Sequence, residues 1–128
     1  MPWIDIVVCA ALLQYFVFSS MTGRARGRYG VKAPATTGHE MFERAYRVQM
    51  NTLEMLVIFL PATYLAARYW SGAWVAGLGV VYLVGRVIYA RAYLSDPASR
   101  SLGFGISAFP ALVLLGGGLV GALLAALR

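Results

Sequence analysis

Polar and charged side chains recur on one face of a segment that is otherwise apolar enough to enter a membrane. Arg47, Asn51 and Glu54 fall within about 60° of one another if the segment is a helix with 100° per residue. The 13 residues that follow, 55–67, carry no charge, but they make only about 20 Å of helix, whereas the hydrocarbon core is about 30 Å thick. The span must therefore extend back towards Arg47. Ionisable groups at membrane depth are costly unless they are paired, so this face is predicted to be a binding site.

A second polar face is predicted on a later apolar segment. Tyr82, Arg86, Tyr89 and Tyr93 are spaced four, three and four residues apart, so they share one side of a helix. Arg86 would lie about 10 Å from the helix end and would need a partner, for which Glu54 is the candidate. A structural pair of Arg86 with Glu54, together with an interfacial belt of tyrosines, explains Tyr82 and Arg86. Tyr89 and Tyr93 are predicted to belong to a functional site.

The elements that must position these residues are membrane helices. Of the 128 residues, 60% are hydrophobic and 12% are charged, about half the charged fraction of an ordinary soluble domain. Four segments of about 20 residues can span a bilayer, namely 3–21, 48–67, 73–93 and 104–124, and the helix of the second is expected to extend back to about residue 40. We predict an all-α fold in which residues 1–128 form a single integral membrane four-helix bundle subunit.

The first segment is interpreted as a retained helix rather than a cleaved signal peptide. It lacks positive charge before its apolar run and ends at Arg24 without a small-residue cleavage site. Cys9 lies inside this segment, so no intrachain disulfide is possible, and its thiol is expected to be buried in lipid as an inert residue. His39 is expected to be a solvated loop residue. With one His and one Cys in the chain, no metal site is predicted.

The connections between the segments differ in length and in their helix-ending residues. Ser71-Gly72 allows only a tight turn between the second and third spans. The first connection, 22–39, is long and rich in glycine, and Thr36-Thr37-Gly38 is predicted to cap the second helix. Ser95-Asp96-Pro97 is predicted to end the third helix after Leu94 and to cap a short turn that follows it.

Basic residues concentrate at one end of the predicted bundle. Nine of the 11 Lys and Arg residues flank the first and third connections: Arg24, Arg26, Arg28, Lys32, Arg44, Arg47, Arg86, Arg91 and Arg100. The positive-inside rule predicts that these connections are cytoplasmic and that both termini lie on the opposite side of the membrane. The same bias and anionic lipid headgroups explain the net charge of +6, so no nucleic-acid partner is predicted.

The most specific patterns in the chain are carried by three runs, residues 30–38, 42–54 and 85–93. All three resemble the MAPEG superfamily, the membrane-associated proteins in eicosanoid and glutathione metabolism, on the side of the microsomal glutathione transferases and leukotriene C synthase. The similarity in length and four-span layout covers essentially the whole chain. The resemblance implies a homotrimer of four-helix subunits that binds glutathione between neighbouring subunits near the cytoplasmic face.

By this resemblance, the family's glutathione contacts fall on both polar faces and at the end of the first helix. The matching positions are Arg26, Arg47, Gln49, Asn51, Glu54, Tyr89 and Tyr93. Arg100 matches the arginine that is held to activate the glutathione thiol in leukotriene C synthase, so it is the expected catalytic residue, while Arg86 is expected to be structural. Two positions depart from the pattern, since Gly27 replaces a second arginine of that synthase and Met55 replaces a tyrosine that helps to hold glutathione.

The chemistry of glutathione suits this set of residues. Its two carboxylates call for arginines, its ammonium for a carboxylate, and its thiol for a positive charge or hydroxyl. An adjacent guanidinium favours the thiolate over the thiol, whose pKa is ordinarily about 8.5, but it is a poor base because it stays protonated. The resemblance therefore implies a membrane-bound glutathione transferase or glutathione-dependent peroxidase that acts on lipophilic electrophiles, with glutathione as co-substrate and no metal.

Other functions remain open from the sequence. The family includes a non-catalytic member, the five-lipoxygenase-activating protein, so the same pocket could hold glutathione or a phospholipid headgroup without transferase activity. A small transporter would also explain buried Arg and Glu, but the chain is short for the usual paired repeats unless it oligomerises. The expected partners are glutathione, a lipophilic small molecule or phospholipid, membrane lipids and further copies of the chain in a homotrimer.

Overall fold

The chain folds into four long helices and contains no strand. The computed structural model describes residues 1–128, with α1 at Pro2–Tyr29, α2 at Glu40–Ala67, α3 at Gly72–Ser95 and α4 at Ser101–Ala126. A one-turn 3₁₀ helix, Pro97–Ser99, connects α3 to α4. Each long helix is apolar enough to cross a membrane. The predicted all-α class with four potential spans is therefore confirmed.

The first helix continues well past the apolar segment. It ends at Tyr29 because Gly30 adopts a left-handed conformation, with φ of 69°, and donates its backbone N–H to the Arg26 carbonyl. Gly27 lies within α1 and does not end it, since one glycine inside a helix costs only about 1 kcal/mol. The first connection is therefore shorter than residues 22–39. Consequently Arg24, Arg26 and Arg28 are held on a helix instead of a loop.

Side chains cap the start of α2 and the start of the 3₁₀ turn. His39 caps α2, because its Nδ1 accepts a hydrogen bond from the Met41 N–H at 3.1 Å, so the predicted cap at Thr36-Thr37-Gly38 is wrong. The His39 side chain is exposed, and its ring also stacks on Tyr29 with ring centroids 4.2 Å apart. Asp96 accepts a hydrogen bond from the Ala98 N–H at 3.1 Å and caps the 3₁₀ turn, as its sequence predicts.

The helix bundle is packed around α2 and α3, and most of its outer surface is apolar. Both α1 and α4 pack against these two helices, and the Phe59 and Tyr82 rings stack in the core with centroids 3.9 Å apart. Cys9 lies on the outer, apolar surface of α1, where contact with lipid is expected, and Val7, Val8 and Ala11 occupy the inward face. Large apolar side chains cover the exterior of every helix, which suits contact with lipid.

Close approach of α3 and α4 depends on glycine. A Cβ at Gly85 would lie 2.5 Å from the Ser107 backbone nitrogen and 2.7 Å from the Ile106 carbonyl carbon. A Cβ at Gly103 would meet the Tyr89 backbone on the same interface. Backbone atoms cannot move aside as a side chain can, so both glycines set the distance between α3, which carries Tyr89, and α4, which begins directly after Arg100.

Gly85→Ala is expected to lower the thermal midpoint of the protein in detergent. The added methyl group forces α3 and α4 apart, and overpacking of this kind typically costs about 1–3 kcal/mol. Gly77→Ala is the matched control, because Gly77 lies on the same helix with no atom within 4 Å of the added Cβ. That variant should melt at or above the wild-type temperature, since alanine has the higher helix propensity. Equal midpoints for the two variants would contradict the close packing.

Candidate functional site

The centre of the site is the buried guanidinium of Arg86 on α3. Its Nη1 and Nη2 donate hydrogen bonds to the Asn51 Oδ1 at 2.9 and 2.8 Å, and its carbon Cζ lies 4.2 Å from the centroid of the Tyr89 ring. The residue is 0% exposed, and its Nε has no hydrogen-bond partner. The predicted pair of Arg86 with Glu54 is therefore wrong, because Asn51 and not Glu54 faces α3.

Glu54 and Arg47 lie on the outer side of α2. Their side chains are 62% and 49% exposed, and the Glu54 Oε1 lies 3.7 Å from the Arg47 Nη2. The two residues are seven positions apart, which is about two turns of helix, so they stack along one stripe. Both charged groups are therefore accessible to a ligand that approaches the outer side of α2.

Two tyrosines of α3 extend the site towards the basic end. Tyr89 is buried, Tyr93 is half-buried, and their ring centroids are 5.7 Å apart. We call the group of Arg47, Asn51, Glu54, Arg86, Tyr89 and Tyr93 the α2–α3 polar cluster. Within the chain, Asn51, Arg86, Tyr89 and Tyr93 contact one another in sequence, whereas Arg47 and Glu54 pair with each other on the outer side of α2.

Arg100 occupies the connection between α3 and α4. Its side chain is exposed, and its Nη1 donates a hydrogen bond to the Pro97 carbonyl at 2.9 Å. Arg44 on α2 holds this connection in place, because its Nη1 donates to the last carbonyls of α3, those of Leu94 at 2.9 Å and Ser95 at 3.1 Å. This role of Arg44 was not predicted. The last carbonyls of every helix lack partners within the helix, and this need was the signal that a basic side chain binds the end of α3.

Arg26 and Gln49 lie outside the α2–α3 polar cluster. The Arg26 Nη1 donates to the Ala35 carbonyl at 2.7 Å, and its guanidinium lies 4.7 Å from the Phe42 ring centroid. The Gln49 Nε2 donates to the Tyr15 hydroxyl of α1 at 3.4 Å, because Gln49 lies about 200° around α2 from Arg47. Tyr15 was not predicted as a partner.

The composition of the site favours binding of a small charged molecule. It offers guanidinium groups, a carboxylate, an amide and phenols, whereas nowhere do three or more His, Cys, Asp or Glu side chains gather as metal ligands would. The Asn51 carbonyl oxygen is held by Arg86, so its Nδ2 is left as a donor in a fixed orientation. The arrangement can therefore pair with carboxylates and with an ammonium group at once.

Comparisons with known proteins match most of the chain. Residues 6–120 match the model of the MAPEG family. An uncharacterized protein of Synechocystis is 43% identical over 118 residues, covering 92% of this chain and 86% of that protein. Human microsomal glutathione S-transferase 2 is 36% identical over 94 residues, covering 73% of this chain and 64% of that protein. Leukotriene C4 synthase of Cavia porcellus is 36% identical over 95 residues, covering 74% of this chain and 63% of that protein. The matched region thus spans somewhat less than two thirds of the last two proteins.

Proposed function

The chain belongs to the MAPEG family, and from that premise we propose that it is a membrane-bound glutathione transferase or glutathione-dependent peroxidase that acts on lipophilic electrophiles. The α2–α3 polar cluster is the observation that carries the proposal. It puts an exposed carboxylate and guanidinium, Glu54 and Arg47, beside a buried Arg86–Asn51 pair on helices apolar enough to span a membrane. Two relatives named as a glutathione S-transferase and a leukotriene C4 synthase support glutathione as the co-substrate.

Each part of glutathione has a complementary group in this proposal. Arg47 and Arg26 bind the carboxylates, Glu54 binds the ammonium, and the Asn51 Nδ2 donates to the peptide backbone of the tripeptide. Gln49, Tyr89 and Tyr93 complete the contacts. Arg100 lies beside the sulfur, where its fixed positive charge favours the thiolate.

The reaction follows from the nucleophile and from where the second substrate dissolves. A lipophilic electrophile reaches the site from the bilayer and lies against apolar helix surface. The thiolate sulfur attacks its electrophilic carbon, and the carbon–sulfur bond forms as the bond to the leaving atom breaks. Because arginine is a poor base, the protein acts by positioning the two substrates and stabilising negative charge.

Purified protein in detergent tests the proposal directly. We expect glutathione-dependent conjugation of an aryl halide or glutathione-dependent reduction of an organic hydroperoxide, saturable in both substrates. The same protein without glutathione, and detergent micelles with glutathione alone, provide the background rates. Glutathione binding without turnover of either class would contradict the enzyme and favour a non-catalytic glutathione-binding or lipid-binding protein.

Glu54→Gln is expected to weaken glutathione binding without unfolding the protein. Loss of the charge-assisted bond to the ammonium should reduce affinity by about 10- to 100-fold. The thermal midpoint should change little, since the exposed pair with Arg47 contributes about 0–1 kcal/mol. Glu40→Gln is the matched control, because Glu40 lies on the same helix and pairs with Arg44 outside the site. Calorimetric titration with glutathione measures the affinity of each variant, and thermal unfolding in detergent measures its midpoint. Equal affinities for the two variants would refute the ligand role of Glu54.

We further propose that the site is completed by neighbouring subunits in a homotrimer with its basic end in the cytoplasm. Arg47 and Glu54 face outward from the subunit, while Arg26 and Gln49 are turned towards other elements. A neighbour that packs on α2 can add the missing polar groups and can remove the exposed charges from lipid. Lipid would then contact the remaining outer surfaces.

Mixed oligomers are expected to recover activity that neither parent has. A subunit with Arg47→Ala, co-expressed with one carrying Tyr93→Ala, would form some interfaces from two intact halves if the two residues act across a subunit boundary. Differently tagged subunits purified in tandem would establish that the oligomers are mixed. Absence of activity in those oligomers would place Arg47 and Tyr93 in the same subunit's site.

A further inference from the structure

A second charged crevice lies at the basic end of the subunit. It has a volume of about 410 Å³ and is formed by the last turns of α1, the first turns of α2 and the end of α3. Arg24, Arg28 and Tyr29 supply its polar rim, and Met21, Met41 and Leu94 contribute apolar surface. None of the residues assigned to glutathione lines it. The crevice is therefore a separate candidate site.

The two arginines of the crevice have no carboxylate partner. The chain contains only five acidic residues, and each is engaged elsewhere. Their partners are Tyr64 for Asp5, Arg44 for Glu40, the Gly38 N–H for Glu43, Arg47 for Glu54 and the Ala98 N–H for Asp96. Arg24 and Arg28 make no hydrogen bond or ion pair within the subunit and stand on one face of α1, four residues apart. Their charges are thus available to an anion.

The rim is ordered on one side by aromatic contacts. The Arg28 guanidinium lies 5.5 Å from the centroid of the Tyr29 ring, and Tyr29 is itself stacked on His39. This chain of contacts restrains Arg28, which lines the crevice. Because α1 continues to Tyr29, both arginines are fixed relative to the apolar surface below them.

The combination of two free guanidiniums with an apolar floor specifies an amphiphilic anion. A small soluble anion would leave the methionine and leucine surface in water, whereas an apolar molecule would leave the charges unused. We propose that the crevice binds an anionic phospholipid, with its phosphate between Arg24 and Arg28 and its glycerol and first acyl carbons against Met21, Met41 and Leu94. The crevice thereby ties the basic end of α1 to the membrane surface.

The proposal is tested by lipid binding to the purified full-length protein in detergent. Native mass spectrometry with phosphatidylglycerol and with phosphatidylcholine of the same short acyl chains reports occupancy of each. We expect saturable binding of phosphatidylglycerol in preference to phosphatidylcholine. Arg24→Gln/Arg28→Gln should lower phosphatidylglycerol affinity by about tenfold or more, since each arginine near an anionic headgroup contributes a severalfold effect.

Arg91→Gln is the matched control, because Arg91 is exposed towards the same end of the bundle but does not line the crevice. It should change phosphatidylglycerol affinity less than twofold. Arg24 and Arg28 are exposed, so the double variant is expected to keep its thermal midpoint, and the single variants replace it if it does not. Three results would each overturn the proposal. Arg91→Gln could lower phosphatidylglycerol affinity as much as the double variant does, or the protein could bind the two lipids equally well. It could also bind glycerol phosphate alone as tightly as phosphatidylglycerol.

Discussion

Arg100→Ala is expected to lower turnover of a lipophilic electrophile by about 10²–10³-fold, the usual effect of removing one group that stabilises developing negative charge. Glutathione affinity should change far less, because the guanidinium interacts most strongly with the charged sulfur and not with the rest of the tripeptide. The exposed position of Arg100, tied only to the Pro97 carbonyl, leaves its remaining donors free for the substrate. Steady-state kinetics and a glutathione titration on one preparation measure both quantities.

Two variants make the Arg100 result specific. Arg91→Ala removes another exposed arginine at the end of α3 and should leave the turnover number unchanged. Arg100→Lys keeps the charge but loses the planar guanidinium, so its turnover number should lie between those of Arg100→Ala and the wild type. An unchanged turnover number for Arg100→Ala would refute its assignment as the catalytic residue.

Asn51→Leu is expected to destabilise the folded protein by about 3–5 kcal/mol, the usual consequence of leaving a buried charge without its partner. Arg86 is fully buried and donates two hydrogen bonds to the Asn51 oxygen. Leucine fills similar space but offers no acceptor, and no carboxylate lies against the guanidinium to replace it. The thermal midpoint in detergent, measured without glutathione, should fall sharply.

Asn51→Asp is the control that keeps a hydrogen-bond acceptor for Arg86 while changing the residue at this position. Aspartate keeps the oxygen that Arg86 uses and adds a charge of the opposite sign, so this variant should melt at or above the wild-type temperature. Glu54→Gln should also keep the wild-type midpoint, since Glu54 does not contact Arg86. If Asn51→Leu and Asn51→Asp melted at the same temperature, the hydrogen bonds to Arg86 would not be a source of stability.

The helices could be predicted from the sequence because apolar runs of sufficient length have few alternatives in a bilayer. Helix ends were less certain, since they depend on single residues. Gly27 continues α1 whereas Gly30 ends it, and the difference lies in backbone conformation rather than in residue type. Likewise His39 caps α2 in place of the neighbouring threonines. Several residues with capping side chains compete at such positions, and packing selects one of them.

The polar faces were predictable, but the pairs within them were not. The spacing of Asn51 and Glu54 puts both on one side of α2, and a difference of about 60° in rotation decides which of them meets Arg86. That rotation is set by the packing of α2 and α3, in which Phe59 stacks on Tyr82. Charge alone favoured Glu54, whereas packing places Asn51 against the buried guanidinium.

The measurement that tests the central claim most directly is an ultraviolet difference titration of the purified protein with glutathione near neutral pH. We predict a saturable thiolate absorbance with the wild-type protein, and with Arg100→Ala we predict glutathione binding but little thiolate. Binding of glutathione by the wild-type protein without thiolate formation would contradict an arginine-stabilised nucleophile. Absence of glutathione binding would contradict the glutathione site altogether.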